Sequence, residues 1–176
     1  MDKQTAYKRE LIKNLYFKKA LSCADLSILT TKSIPFTTKF LNELISEGIV
    51  IETGRAHSAF GRRAQTYSVK QDLGYVVCVA MDQLITNIGM LDMHNNIVCK
   101  TERINLPLKN NEQSLQQLRD NLLKYINASG ISYEKIIGIG ISMPGFVDVK
   151  KGVNYMFLTP PENESIVSFI QEEIDL

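Results

Sequence analysis

The chain has 176 residues, 44% hydrophobic and 22% charged, near the globular average, which allows one medium domain or two small ones. No apolar run is long enough for a transmembrane helix, and the polar start MDKQTAYKRE lacks the apolar stretch of a secretory signal, so neither is expected. The net charge of +1 hides an asymmetry: residues 1–70 carry 12 Lys and Arg against 6 Asp and Glu, while residues 71–176 carry 8 against 13. A basic first third favours a polyanion such as nucleic acid, with ordinary solvated surface as the plain alternative. The three cysteines, Cys23, Cys78 and Cys99, form no CxxC pair and point to buried free thiols in a reducing cytoplasm.

In chain order, Tyr7, Leu11 and Leu15 lie on one stripe and Ile12 and Tyr16 on the adjoining one, at i, i+4 spacing, which predicts a helix from about Lys3 to Lys19. Ser22 is a good N-cap for a short helix over CADLSILT. After the break TTKS, Ser33 caps a third helix that begins IPFTTKF, holds Pro35 in its first turn, buries Phe40, Leu41, Leu44 and Ile45, and stops at Gly48. IVIET then reads as a strand, GRAHSAFGRR as an arginine-rich loop, and AQTYSV as a returning strand with Tyr67 and Val69 on one face.

Three helices followed by a two-stranded hairpin follow the plan of a winged helix-turn-helix, whose third helix enters the major groove of double-stranded DNA. Ser33, Thr37 and Thr38 offer hydroxyls for phosphates or base edges, Phe36 a ring for a thymine methyl, and Lys39 a charge for a phosphate. Arg62 and Arg63 stand at the wing, where a guanidinium suits a narrow minor groove. Thr37 facing the core and Phe36 plugging the space between helices are the structural alternatives. Helix-turn-helix readers commonly pair half-sites, so a homodimer is expected.

This places a DNA-binding domain at 1–70, a polar linker at 71–74 and a second module at 75–176. Val76 to Ala80 is a continuous apolar run that suits a strand covered on both faces. Ile85 to Leu91 is a second strand, His94-Asn95-Asn96 a turn, and Ile97 to Ile104 a third strand. NLPLKNNEQ is a loop, and Leu115, Leu118, Leu122, Leu123 and Ile126 mark an amphipathic helix ending near Gly130. IIGIGIS, residues 136–142, is a buried strand, Pro144-Gly145 a turn, VNYMFL another strand, and SIVSFIQEEI a last helix. The expected class is α/β, with a mixed sheet in the second module.

Three meandering strands, a helix and a strand resemble the first lobe of ribonuclease H-like sugar kinases. Together with LTTKSIPFTTKFLNELISEGIV, GRRAQTYSV, GYVVCVAMDQLITNIGMLDMHNNIV and GIGISMPGFVD, this order resembles the transcriptional regulators of the ROK family (repressors, open reading frames and sugar kinases). The kinases of that family carry an Asp-x-Gly-Gly-Thr type turn whose glycines let the backbone approach ATP phosphates. Here Ala80 stands at the acidic position and Asp82 and Gln83 at the glycine positions, so ATP is not expected to bind, and neither enzyme activity nor a cofactor is expected. The family's second lobe, with the catalytic Asp, most sugar contacts and a His/Cys zinc motif, has no counterpart in the sequence, which reads as a truncated member. His57 and His94 have no companions at metal spacing.

Met143-Pro144-Gly145 resembles the family's turn beside the sugar cleft, which makes Pro144 and Gly145 candidate effector contacts, with a plain structural turn as the alternative. The segment NYMFLTPPENES stands where the family often has a Trp near the sugar, and no Trp occurs here. The resemblance implies a cytoplasmic, DNA-binding repressor of carbohydrate-utilisation genes that responds to a sugar or sugar phosphate. The alternatives are an ATP-dependent sugar kinase with an appended DNA-binding domain and a non-catalytic assembly module.

Overall fold

A computed structural model describes residues 2–55, 64–161, 164–172 and 174. Its contacts divide into two units, Met1–Leu73 and Gly74–Leu176. The first contains α1 (Lys3–Lys18), β1 (Leu21–Ser22), α2 (Cys23–Leu29), α3 (Ile34–Ser46), β2 (Val50–Arg55) and β3 (Gln65–Val69). The i, i+4 stripe of α1 buries Tyr7, Leu11 and Leu15, and α3 buries Thr37, Phe40, Leu41 and Leu44. Leu26 of α2, Val50 of β2 and Val69 of β3 are buried as well. Each buried leucine contributes about 1.5–3 kcal/mol, so the apolar spacing decides which faces turn inward.

The ends of the helices follow local chemistry. Ser22 Oγ accepts from the Asp25 backbone N–H at 3.2 Å, and Asp25 Oδ2 accepts from the Ser22 backbone N–H at 3.0 Å, a reciprocal capping box at the start of α2. The Ser22 hydrogen bonds hold the Asp25 carboxyl below its ordinary pKa. Ser33 occupies the N-cap of α3 but makes no side-chain capping bond. Gly48, at φ 71°, takes the left-handed conformation that releases the chain into β2. The three strands pair antiparallel in the order β1-β3-β2, with a register shift between Glu52 and Gly54. Most of the GRAHSAFGRR loop, including His57, Arg62 and Arg63, lies outside the described residues.

The second unit contains β4 (Tyr75–Met81), β5 (Ile85–Leu91), β6 (Glu102–Asn105), α4 (Ser114–Ser129), β7 (Ile136–Ser142), β8 (Val147–Asp148), β9 (Val153–Asn154) and α5 (Ile166–Gln171). A mixed sheet runs β6-β5-β4-β7, parallel only between β4 and β7, and α4 lies in the connection that makes that pair possible. One core joins Val77 and Val79 of β4, Ile88 and Met90 of β5, Leu118, Leu122 and Ile126 of α4, and Phe169 and Ile170 of α5. The protein is thus α/β with a mixed sheet. No helix among the described residues is long and apolar enough to cross a membrane.

Side-chain oxygens meet backbone donors wherever this unit turns. Asp82 Oδ1 accepts from the N–H groups of Leu84 and Ile85, both at 2.7 Å. Asp92 Oδ1 accepts from His94 at 2.8 Å and Asn96 at 2.9 Å. Asp148 Oδ1 accepts from Lys150 and Lys151, and Asn154 Oδ1 from Met156 and Phe157. Short Asp and Asn side chains reach their own backbone two or three residues on, which is why they occupy turns.

Four expectations from the sequence are corrected. β4 is buried on one face only, with Val77, Val79 and Met81 inside, Cys78 half-buried and Ala80 exposed. β7 is an edge strand whose Ile137 is 58% exposed, so it is not a buried strand. The third strand does not run from Ile97 to Ile104: Ile97 makes one bridge to Leu91, and regular pairing begins at Ile88 and Glu102. Five steps on one side meet three on the other, so the extra residues bulge out of the ladder. VNYMFL supplies only β9, paired with β8 in a small separate hairpin. The three cysteines are free and half-buried.

Ser22→Ala is expected to cost about 1 kcal/mol in urea unfolding at neutral pH. The folded pKa of Asp25 is depressed, so its contribution is present at neutral pH and is lost as pH falls through the carboxylate range. Asp25→Asn should therefore make unfolding of the first unit less sensitive to acid below about pH 4, which a pH series of urea curves measures.

Candidate nucleic-acid interface

A buried phenol fixes the α2–turn–α3 segment. Tyr7 Oη lies 3.1 Å from Thr30 Oγ1 and 2.8 Å from Thr37 Oγ1. Thr30 Oγ1 donates to the Leu26 carbonyl at 2.7 Å, and Thr37 Oγ1 donates to the Ser33 carbonyl at 3.1 Å. One side chain of α1 thereby bridges the end of α2 and the first turn of α3. Tyr7 also meets the rings of Phe36 and Phe40, with centroids 5.1 and 5.2 Å away.

With Thr37, Phe40, Leu41 and Leu44 inward, the opposite stripe of α3 faces water. Pro35, Lys39, Asn42 and Ser46 are exposed along it, spaced by three or four residues. Ser33, at the N-cap, is exposed too. Thr38 is half-buried on the flank, donates to the Ile34 carbonyl at 2.9 Å and lies 3.2 Å from Cys23 Sγ. Phe36 is 42% exposed, one side in the aromatic cluster and the other accessible. The acids of α3 are engaged by α1: Lys8 Nζ is 2.9 Å from Glu43 Oε2 and 2.6 Å from Glu47 Oε1. Those two carboxylates hold the Lys8 ammonium above its ordinary pKa, Glu47 most strongly.

The structure therefore corrects one expected contact. Thr37 is fully buried and its hydroxyl faces Tyr7, so it offers nothing to a ligand at the surface. Ser33, Phe36, Thr38 and Lys39 share the outward and flanking faces of α3. Asn42 is not among the contacts expected from the sequence; its signal was the three-residue spacing from Lys39.

In the second unit, the turn from Met81 to Ile85 is closed by its own carboxylate. The Leu84 and Ile85 N–H groups both point to Asp82 Oδ1, so neither is left for another acceptor. These hydrogen bonds, Leu84 first, hold the Asp82 carboxyl below its ordinary pKa. Pro144 and Gly145 form the turn before β8. Gly145 has φ +106°, and a Cβ there would lie 2.7 Å from Asn154 Oδ1. Asn154 is buried and donates from Nδ2 to the Pro144 carbonyl at 2.8 Å, so the turn is held from inside. Beside it, a groove of about 590 Å³ is lined by Ile137, Ile139, Ile141, Ile166 and Ile170 among others, with Gln171 its one polar side chain. That lining suits apolar burial and lacks the convergent polar groups a sugar requires.

The chain is 25% identical over 170 residues to the xylose repressor of Caldicellulosiruptor bescii, covering 94% of this chain and 42% of that protein. It is 27% identical over 169 residues to the xylose repressor of Bacillus subtilis strain 168, covering 94% and 43%. No family model matches it. A crystal structure of a ROK family transcriptional regulator, a homologue of the E. coli MLC protein, superposes with a TM-score of 0.69 over 98% of this chain and 44% of that one, at 18% identity. The chain has the fold of a ROK-family regulator. It spans less than half the length of these relatives. The ROK resemblance read from the sequence thus extends along nearly all of it.

Three substitutions separate held positions from a free one. Tyr7→Phe removes the bridging hydroxyl and should lower the stability of the first unit by about 1 kcal/mol, read by urea unfolding. Gly145→Ala combines left-handed strain with a clash against Asn154 and should destabilise by about 1–2 kcal/mol or more. Gly138→Ala, which meets nothing within 4 Å, should leave the same thermal midpoint nearly unchanged.

Proposed function

We propose that the chain is the DNA-binding portion of a transcriptional repressor of carbohydrate-utilisation genes, acting in the cytoplasm as a homodimer on double-stranded DNA. Residues 1–70 are a winged helix-turn-helix, 71–74 a linker, and 75–176 the first lobe of a ribonuclease H-like ROK domain. The observation that carries this reading is α3. Its inner face is fixed through Tyr7, the acids at and just beyond its last turn are paired with Lys8, and its outer face presents Ser33, Lys39 and part of Phe36. A rigid helix with a cationic, acid-free outer stripe suits a major groove. The names of the relatives supply the regulatory sense and the carbohydrate.

Thr38 takes a flanking position against the backbone phosphates. Arg62 and Arg63, in the loop between β2 and β3, take the minor-groove position on the strength of the sequence. The second unit carries the response to a sugar or sugar phosphate, with Pro144 and Gly145 as effector contacts on a turn that Asn154 holds in place; the apolar groove beside the turn is not that site. A non-enzymatic role is supported by Asp82, whose carboxylate holds the turn that a kinase would offer to ATP.

Fluorescence titration of labelled duplex DNA at two salt concentrations tests the reading. Affinity should fall steeply with salt, and Arg62→Ala/Arg63→Ala should reduce the logarithmic salt slope by about two. Binding insensitive to salt, or ATP-dependent sugar phosphorylation by the chain, would overturn it.

A further inference from the structure

We infer that Asn42 is a specificity-determining residue that reads the major-groove edge of an adenine. The inference rests on the DNA-binding reading of α3 and goes beyond it, from a surface that attracts DNA to an atom pair that selects a base. On the outward stripe, Pro35 has no polar side-chain atom, and Ser46 Oγ donates to the Glu43 carbonyl at 2.7 Å. Lys39 carries a point positive charge, lies 5.4 Å from the centroid of the Phe40 ring, and suits a phosphate. Glu43, on the flank, is paired with Lys8. Asn42 alone on this stripe carries a carboxamide, with a donor and an acceptor side by side on separate atoms. Among the described residues, neither is taken by an intramolecular hydrogen bond.

Two physical points favour recognition over ordinary surface. First, asparagine is a poorer helix former than alanine, because its short amide competes with the backbone for hydrogen bonds. Where Asn14 and Asn121 sit in helices, they donate back to the carbonyls of Glu10 and Gln117. Asn42 makes no such bond, so its amide is directed outward without local compensation. Second, adenine displays an N7 acceptor beside an N6 donor in the major groove, and a carboxamide matches both at once. Lys39, three residues earlier on the same face, would hold the backbone phosphate that sets the register.

The test is selection of binding sites by the full chain from a pool of random-sequence duplexes, repeated with Asn42→Ala and Lys39→Ala. Asn42→Ala should fold with an unfolding midpoint no lower than the parent. It should keep the parent's affinity for arbitrary duplex and its salt slope. At one position of the enriched site it should lose the A·T preference, with discrimination reduced about tenfold. Lys39→Ala should instead weaken all duplexes alike and reduce the salt slope by about one. Enrichment of the same site by Asn42→Ala, with undiminished discrimination, would overturn the inference and leave DNA binding standing. A parent that binds duplex without enriching any sequence would overturn it in the same way. A parent that binds no duplex would overturn the DNA-binding reading and this inference with it.

Discussion

Backbone N–H groups that leave a helix or strand must find an acceptor, and this chain meets that constraint with its own short polar side chains. Asp25 caps α2, Asp82 closes the β4–β5 turn, Asp92 holds the turn after β5, Asp148 holds the turn after β8, and Asn154 organises the segment after β9. Each oxygen sits two to four residues from the donors it serves, so these turns are set by local contacts. The sheets and helices take their register from these fixed reversals.

The same device separates surfaces open to ligands from closed ones. At the β4–β5 turn the donors are satisfied internally by an anion, and a second anion meets both occupied hydrogen bonds and like charge. On α3 the internal bonds point the other way. Tyr7, Thr30 and Thr37 close the inner side of the α2–turn–α3 segment, and Lys8 binds the flanking acids. What is left outward is uncommitted: a serine at the helix start, a lysine and an amide. The polar groups the first unit leaves available on α3 are therefore those its own residues have not used.

Much of the architecture was legible because it depends on periodicity and end signals. Tyr7, Leu11 and Leu15 at every fourth position, the Ser22–Asp25 box and the glycine at 130 with φ 70° each carry their structural meaning within a few residues. The direction of Thr37 was legible in the same way, since it lies three and four residues before Phe40 and Leu41, but its hydroxyl suggests a surface role. Its hydroxyl bonds locally to the Ser33 carbonyl, and the second partner that makes burial tolerable is the distant Tyr7, which no local pattern announces. The coverage of β4 and β7 was misread for a related reason. An apolar run shows that a strand is compatible with burial on both faces, whereas its actual burial depends on what packs there. The bulge between Ile97 and Glu102 arises from a mismatch in step number between two strands, which neither strand reveals alone.

The parallel pairing of β4 with β7 joins Tyr75 to Ile136 across the whole of β5, β6 and α4. The β4–β5 hairpin and α4 draw on local contacts and are able to form early. The β4–β7 ladder has to wait for a long closure whose entropy is lost before its hydrogen bonds repay it. β4 thus has one partner close in sequence and one distant. The distant pairing is the part of the sheet with the largest loop-closure entropy to offset, and until it is made β4 presents an open edge.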